Sequence, residues 1–413
     1  MSKIKTLFSQ TLIYGVSTIV VRMLNWLLTP FHTRCFEKES EFGIMSILFA
    51  YIALLNIIYM YGMETSFFRF ATDKENRTAV FKTINAALLI SSTFFSLLII
   101  AFSAPIAQYL NFPQSENLIT LFALILLFDN ISNIPFAFLR MEGRPVKYMT
   151  YKLANVCINV FFNLFFLLPA YFNNPNLFEF TGYIYHKEYI VVYVLLANLI
   201  ASALTFLFFI PQYIRYMPSF NWAIFKPILS YSLPLVLVGL AGMVNEVASR
   251  IFLEKWLTGS PEENLKEVGI FSAVYKLSIF MTLAIQGFKM GAEPFFFKHA
   301  KEDNAQKLYA DVLTYFSIAC LIIFLGVNLF STEVVKILHP KYRAGIGVLP
   351  ILLFANFCLG IYYNISVWYR LTDRTIYGSL ITLIGAAMTI GLNYYLIPIH
   401  GYWGAAWATA IVY

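Results

Sequence analysis

The sequence predicts an all-α polytopic membrane protein: two parallel six-helix bundles around a central cleft, about 12 transmembrane helices with the last incomplete. Three observations carry this. Of 413 residues, 59% are hydrophobic and 12% charged, with 41 Phe and 27 Tyr. A soluble core of this length cannot use so much apolar surface, so the excess faces an apolar medium. Apolar stretches of roughly 20 residues, the length a helix needs to cross a bilayer, recur along the whole chain. Short sequence matches also repeat between the two halves at one fixed offset.

Helices are expected at about 9–30, 43–66, 82–103, 118–139, 151–170 and 189–210 in the first half. The second half predicts 228–250, 268–292, 309–330, 348–368 and 376–397, with a last helix opening near Tyr402. Only MSKIK precedes the first span, without a small-residue cleavage site, so no removable signal peptide is expected. The loops leave no room for a globular domain. With the N-terminus cytoplasmic, the inner flanks carry Lys3, Lys5, Arg69, Lys74, Arg140, Arg144, Lys298, Lys301 and Arg374 among others. The outer loops carry fewer basic residues, among them Arg34, Lys38, Lys187 and Lys336. This is the positive-inside pattern, and it assigns the net charge of +7 to topology and anionic membrane lipids, not to nucleic acid.

The repeat joins EFGIMS (Glu41–Ser46) to EVGIFS (Glu267–Ser272), and ILLFDN (Ile125–Asn130) to ILLFAN (Ile351–Asn356), both at an offset of 226 residues. An Arg-x-x-x-Arg follows each member of the second match: Arg140 with Arg144, and Arg370 with Arg374. The matched helices stand six apart, an even number, so both halves enter the membrane in the same direction, as in parallel repeats about an axis along the membrane normal. The expected domains are an N-terminal lobe at 1–212, a linker at 213–227 and a C-terminal lobe at 228–413.

Charge at a helix centre costs about 2.5–3.5 kcal/mol on insertion scales, so each such residue needs an explanation. Thr18, Arg22, Asn25 and Thr29 share one helical stripe, and Arg22 lies roughly 20 Å into its helix. Arg22 is either a helix–helix hydrogen-bond site or a cation lining a cavity. Asp129 is a protonatable group or a counter-charge to Arg22. Glu246 and Arg250, at i,i+4 with Asn245 and Ser249 beside them, form a self-neutralised pair, or Arg250 reaches into the cleft while Glu246 tunes it. Lys276 sits too deep for a rim charge and is assigned to the cavity, whereas Lys289 can snorkel. Glu64 and Arg69 pair or close an inner gate; Arg140 and Arg370 read as inner-face headgroup anchors.

No metal site, disulfide or cofactor is expected: the four cysteines and five histidines lack ligand spacing. No GxxxxGK[ST] run occurs, and no nucleophile–base arrangement converges, so an enzyme is not expected.

The stretches TLIYGVSTIVVRMLNWLLTPFHTR, YGMETSFFRF, SYSLPLVLVGLAGMVNEVASR, VGIFSAVYKL, FKMGAEPFFFKHA, NISVWYRLTDRTIYG and GYWGAAWATA together resemble the bacterial polysaccharide biosynthesis flippases. These belong to the multidrug/oligosaccharidyl-lipid/polysaccharide exporter superfamily, and the resemblance covers the whole chain, closest to Bacteroidetes members. It implies a flippase of the cytoplasmic membrane that carries an undecaprenyl-diphosphate-linked oligosaccharide outward for surface polysaccharide or lipopolysaccharide biosynthesis. It further implies two lobes around a cationic cavity, coupling to a proton or sodium ion, and polysaccharide polymerase or glycosyltransferases as partners. Arg22 matches the first-helix arginine of related lipid II flippases. Leu28 stands where their second arginine would fall, and Ser249 where close relatives carry Asp. Relatives of the oligosaccharide branch commonly have 14 helices, so a chain cut short by about two and a half helices is expected.

Two alternatives stay open. A cation-coupled small-molecule or drug antiporter of the same superfamily would line its cavity with acids. A non-transporting scaffold for polysaccharide enzymes would pack its polar residues between helices.

Overall fold

The computed structural model describes residues 3–112, 116–174, 185–299, 305–372, 374 and 376–413. Among these there are helices and turns and no strand. The principal helices are α1 (Lys3–Cys35), α2 (Glu39–Met60), α3 (Met63–Phe70), α4 (Lys74–Ala101), α5 (Glu116–Met141), α6 (Pro145–Tyr171) and α7 (Ile190–Leu207). They continue with α8 (Trp222–Trp256), α9 (Pro261–Tyr275), α10 (Ile279–His299), α11 (Ala305–Leu329), α12 (Leu349–Ile365), α13 (Ile376–His400) and α14 (Tyr402–Val412). Ten stretches of the described residues are long and apolar enough to cross a membrane. α1 and the 11-residue α14 fall outside that set, so the expected number of about twelve is not reached by this criterion.

Apolar side chains point outward where a soluble protein would be polar. On α4, Ile90, Phe94 and Leu97 are exposed at spacings of four and three; on α11, Ile318, Ile322, Leu325 and Leu329 do the same. Such stripes are stable only against hydrocarbon.

The chain divides into two compact units, Met1–Thr6 with Leu48–Leu240, and Leu7–Ile47 with Ala241–Tyr413. These limits differ from the expected 1–212, 213–227 and 228–413. The reason at the linker is local: the Asn221 side-chain oxygen accepts from the Ala223 amide at 3.0 Å and opens α8, which continues through Pro227 and Pro234. The reason at the N-terminus is a set of ties between residues 34–43 and the C-terminal half. Lys38 pairs with Glu262 at 2.7 Å, Arg34 donates to the Ile337 carbonyl at 3.0 Å, and Lys341 donates to the carbonyls of Phe36 and Glu37.

In the first unit, the chain turns between α2 and α3 at Tyr61 and Gly62, both at positive φ. A Cβ on Gly62 would meet the Ser232 carbonyl oxygen at 2.9 Å, so only glycine permits that approach. The core beneath is aromatic: Phe67, Phe81 and Phe138 pack together with Met63, Phe225 and Ile228. In the second unit, Phe36, Phe42 and Tyr342 form a chain of edge-on rings, all fully buried. α9 opens with a capping box between Ser260 and Glu263, and Pro261 occupies the first turn where no amide donor is needed.

Candidate functional site

The predicted span at 268–292 is broken at its cation. Lys276–Ser278 form a 3-10 turn between α9 and α10. That turn changes the backbone hydrogen-bonding pattern, and the Lys276 carbonyl accepts the Trp26 indole N–H of α1 at 2.8 Å. Trp26 also meets Phe280 edge-on, with centroids 5.7 Å apart. The Lys276 side chain stays exposed although it lies deep among protein atoms, the combination expected of a concave wall.

Arg250 lies over the ring of Tyr275, 4.6 Å from its centroid. The expected Glu246–Arg250 contact is not formed: among the described residues no ion pair joins them, and Glu246 is exposed. A spacing of four makes a pair available, but the aromatic face of Tyr275 offers the guanidinium a drier partner that leaves its N–H edge free to bind. Arg22 and Asn25 are exposed on α1, and Thr18 is partly buried one turn before Arg22. Asn245 ties helices together. Its amide accepts from Thr389 at 2.8 Å and donates to the Thr382 carbonyl at 3.4 Å, while its backbone carbonyl accepts from Tyr413 at 3.1 Å.

Six of the seven cavity candidates thus fall in the second unit: Arg22, Asn25, Asn245, Glu246, Arg250 and Lys276. Among the described residues none of its three deep cations, Arg22, Arg250 and Lys276, forms an ion pair.

Asp129 belongs to the first unit, where Ser202 donates to its Oδ1 at 2.6 Å. The cation whose field reaches it there is Lys152, which rests over the Phe136 ring at 4.2 Å. Glu64 pairs with Arg140, not with Arg69; Arg69 stacks on Tyr231 at 4.1 Å. The physical reason is their spacing: both lie on α3, where residues five apart do not share a face as residues three or four apart do. Arg140 is further held over Phe68 at 4.8 Å, so it is committed to packing, unlike a free headgroup anchor. The side chain of Arg370 lies outside the described residues.

Sequence reasoning missed Tyr275, Trp26 and Lys152. Tyr275 and Trp26 had a usable signal: an aromatic residue next to, or four residues from, an intramembrane cation. Lys152 had none, because at a helix start it reads as a membrane flank.

Fold and site together define a multi-span, all-helical membrane protein. A family described as polysaccharide biosynthesis protein matches residues 36–342, most of the chain, and the protein belongs to that family. Among solved structures, it is similar to the lipid II flippase MurJ in its inward closed conformation, with TM-score 0.74 and 14% identity over 97% of this chain and 85% of that one. It is similar to an inward-facing multidrug resistance MATE transporter of the MOP superfamily, with TM-score 0.67 and 15% identity over 95% and 94%. It is also similar to a MOP superfamily transporter from Pyrococcus furiosus described as having a binding pocket of reverse polarity, with TM-score 0.62 and 16% identity over 100% and 95%. At these identities the likeness shows the fold. A comparison with curated proteins returned no match.

Proposed function

We propose that the protein is a flippase that moves an undecaprenyl-diphosphate-linked oligosaccharide from the inner to the outer leaflet of the bacterial cytoplasmic membrane by alternating access. The carrying observation is the set of three deep cations, Arg22, Arg250 and Lys276, in one unit without an ion pair among the described residues. Isolated charge in a bilayer is costly, so a protein that keeps such cations uses them on an anion. A diphosphate supplies that anion, and arginine holds its oxygens bidentately. The lipid tail stays in hydrocarbon throughout, so only the polar end needs shelter. Membership of a polysaccharide biosynthesis family supports the same cargo. In this reading the N-terminus is cytoplasmic, and the partly buried carboxylate of Asp129 couples transport to a proton or sodium ion. An antiporter for cationic drugs would reverse the balance, with carboxylates lining the wall. Here Glu246 is outnumbered by three cations.

The test replaces Arg22 with Ala in the full chain. Losing a deep charge eases insertion, so protein abundance in the membrane should hold while surface polysaccharide disappears. Normal polysaccharide at normal abundance would remove Arg22 from the site.

A further inference from the structure

Beyond the cations, the second unit carries a group of tyrosines that the diphosphate reading leaves unused. Lys289 on α10 holds its ammonium 3.6 Å from the ring centroid of Tyr363 on α12. Tyr362 and Tyr363 lie with centroids 5.9 Å apart, and the Tyr362 and Tyr369 hydroxyls share a hydrogen bond at 3.1 Å. All four side chains are partly exposed. The Tyr369 ring occupies space that only a glycine at 378 leaves open, since a Cβ there would meet the ring at 2.7 Å. Tyr413 links the group to the cation site: it lies within electrostatic reach of Tyr363, and its hydroxyl donates at 3.1 Å to the carbonyl of Asn245, the residue before Glu246.

We infer that Tyr362, Tyr363, Tyr369 and Lys289 form a saccharide subsite beside the diphosphate cations, a reading that rests on the flippase assignment. The chemistry matches a sugar better than the other parts of such a cargo. A lipid tail gains nothing from hydroxyls, and a diphosphate gains little from ring faces. A sugar has apolar C–H faces to lay on rings and a rim of hydroxyls to exchange hydrogen bonds with phenols, each of which both donates and accepts. The Lys289 ammonium brings a cation to the subsite. It therefore accepts neutral or acidic sugars and disfavours a sugar with a free amino group, by like-charge repulsion.

The test uses the full chain in lipid nanodiscs with three probes: undecaprenyl diphosphate, and the same lipid carrying either one N-acetylhexosamine or one hexosamine with a free amine. The wild type should bind the N-acetylhexosamine lipid more tightly than the bare one. Tyr363→Leu should abolish that preference, a change of roughly tenfold, the upper size of one aromatic contact. Tyr363→Phe, which keeps the ring, should retain most of it. Arg250→Gln should weaken all the lipids together. Lys289→Met gives a second reading should Tyr363→Leu not fold, and it should raise the relative affinity for a lipid-linked sugar with a free amine. An unchanged preference in Tyr363→Leu overturns the subsite while leaving the flippase reading standing, as does an unchanged relative affinity for the free-amine lipid where Lys289→Met is the variant available. Failure of the wild type to bind any of the lipids overturns both readings.

Discussion

Gly43 of α2 and Gly269 of α9 cross in reciprocal contact. A Cβ on Gly43 would meet the Leu265 carbonyl oxygen at 2.0 Å, and one on Gly269 would meet the Glu39 carbonyl oxygen at 1.9 Å. Residues 39 and 43 map onto 265 and 269 by the same offset of 226 that relates EFGIMS to EVGIFS. A contact in which i touches j′ and j touches i′ is the signature of a two-fold relation. The repeated glycines are therefore conserved within this one chain for a physical reason: both backbones need the space.

Substitution at either position is expected to destabilise. Gly43→Ala and Gly269→Ala each force two helix backbones apart, at about 1–3 kcal/mol for overpacking. The reciprocal geometry predicts similar losses for the two. Because they relieve one crossing, the double variant should lose less than the sum. Thermal unfolding in detergent measures this, and a neutral Gly269→Ala would contradict the crossing.

Arg250 and Tyr275 should couple, whereas Arg250 and Glu246 should not. A double-mutant cycle with Arg250→Gln and Tyr275→Leu is expected to show about 0.5–2 kcal/mol of interaction. The cycle with Glu246→Gln should be near zero. For binding of undecaprenyl diphosphate, Arg250→Gln should weaken affinity, and Glu246→Gln should leave it equal or tighter by removing a repelling charge. Weaker binding in Glu246→Gln would restore the ion-pair reading.

What was legible in the sequence divides along physical lines. Helix positions were readable because apolar length is a local property, and the offset of 226 was readable because the glycine crossing requires the same residues twice. Breaks were not: the Tyr61–Gly62 turn and the 3-10 turn at Lys276 sit inside continuous apolar runs, where hydropathy carries no signal. Charge partners were the least legible. Helical spacing offered Arg250 to Glu246, and nearness in sequence offered Arg69 to Glu64, yet Tyr275 and Arg140 took those places, at separations that no local rule reaches.

Removing Arg140 should be worse than removing Glu64. Arg140 serves Glu64 and also covers Phe68, so Arg140→Met loses both and strands a half-exposed carboxylate. Glu64→Gln loses only the charge. A loss of about 1 kcal/mol or more for Arg140→Met, with a smaller one for Glu64→Gln, is the expected order for a partly exposed pair. Equal losses in thermal unfolding would reduce the contact to a simple ion pair.

His339 should make the second unit acid-sensitive. Burial, and then Lys341, Arg34 and Arg343, hold its imidazole below the usual histidine range, with Glu39 opposing. A depressed folded value means the unfolded chain binds the proton more readily. The stabilising contribution is therefore full above the ordinary histidine range and is lost as pH falls from there through the lowered folded value. His339→Gln should flatten that part of the stability–pH curve. A curve unchanged by the substitution would assign the acid sensitivity elsewhere.

Asp129 separates folding from coupling. Its one described hydrogen bond comes from Ser202, and an asparagine at 129 can still accept it through Oδ1. Asp129→Asn should therefore keep the protein folded while removing the carboxylate that Lys152 and Ser202 share. Ser202→Ala, by contrast, takes a donor from a partly buried carboxylate and should cost about 1–3 kcal/mol of stability. If Asp129 carries the coupling ion, flipping in proteoliposomes should respond to an imposed proton or sodium gradient in the wild type and in Ser202→Ala, but not in Asp129→Asn. Testing each gradient alone identifies the ion. An Asp129→Asn protein whose flipping still follows either gradient would place the coupling group outside the Asp129 pocket.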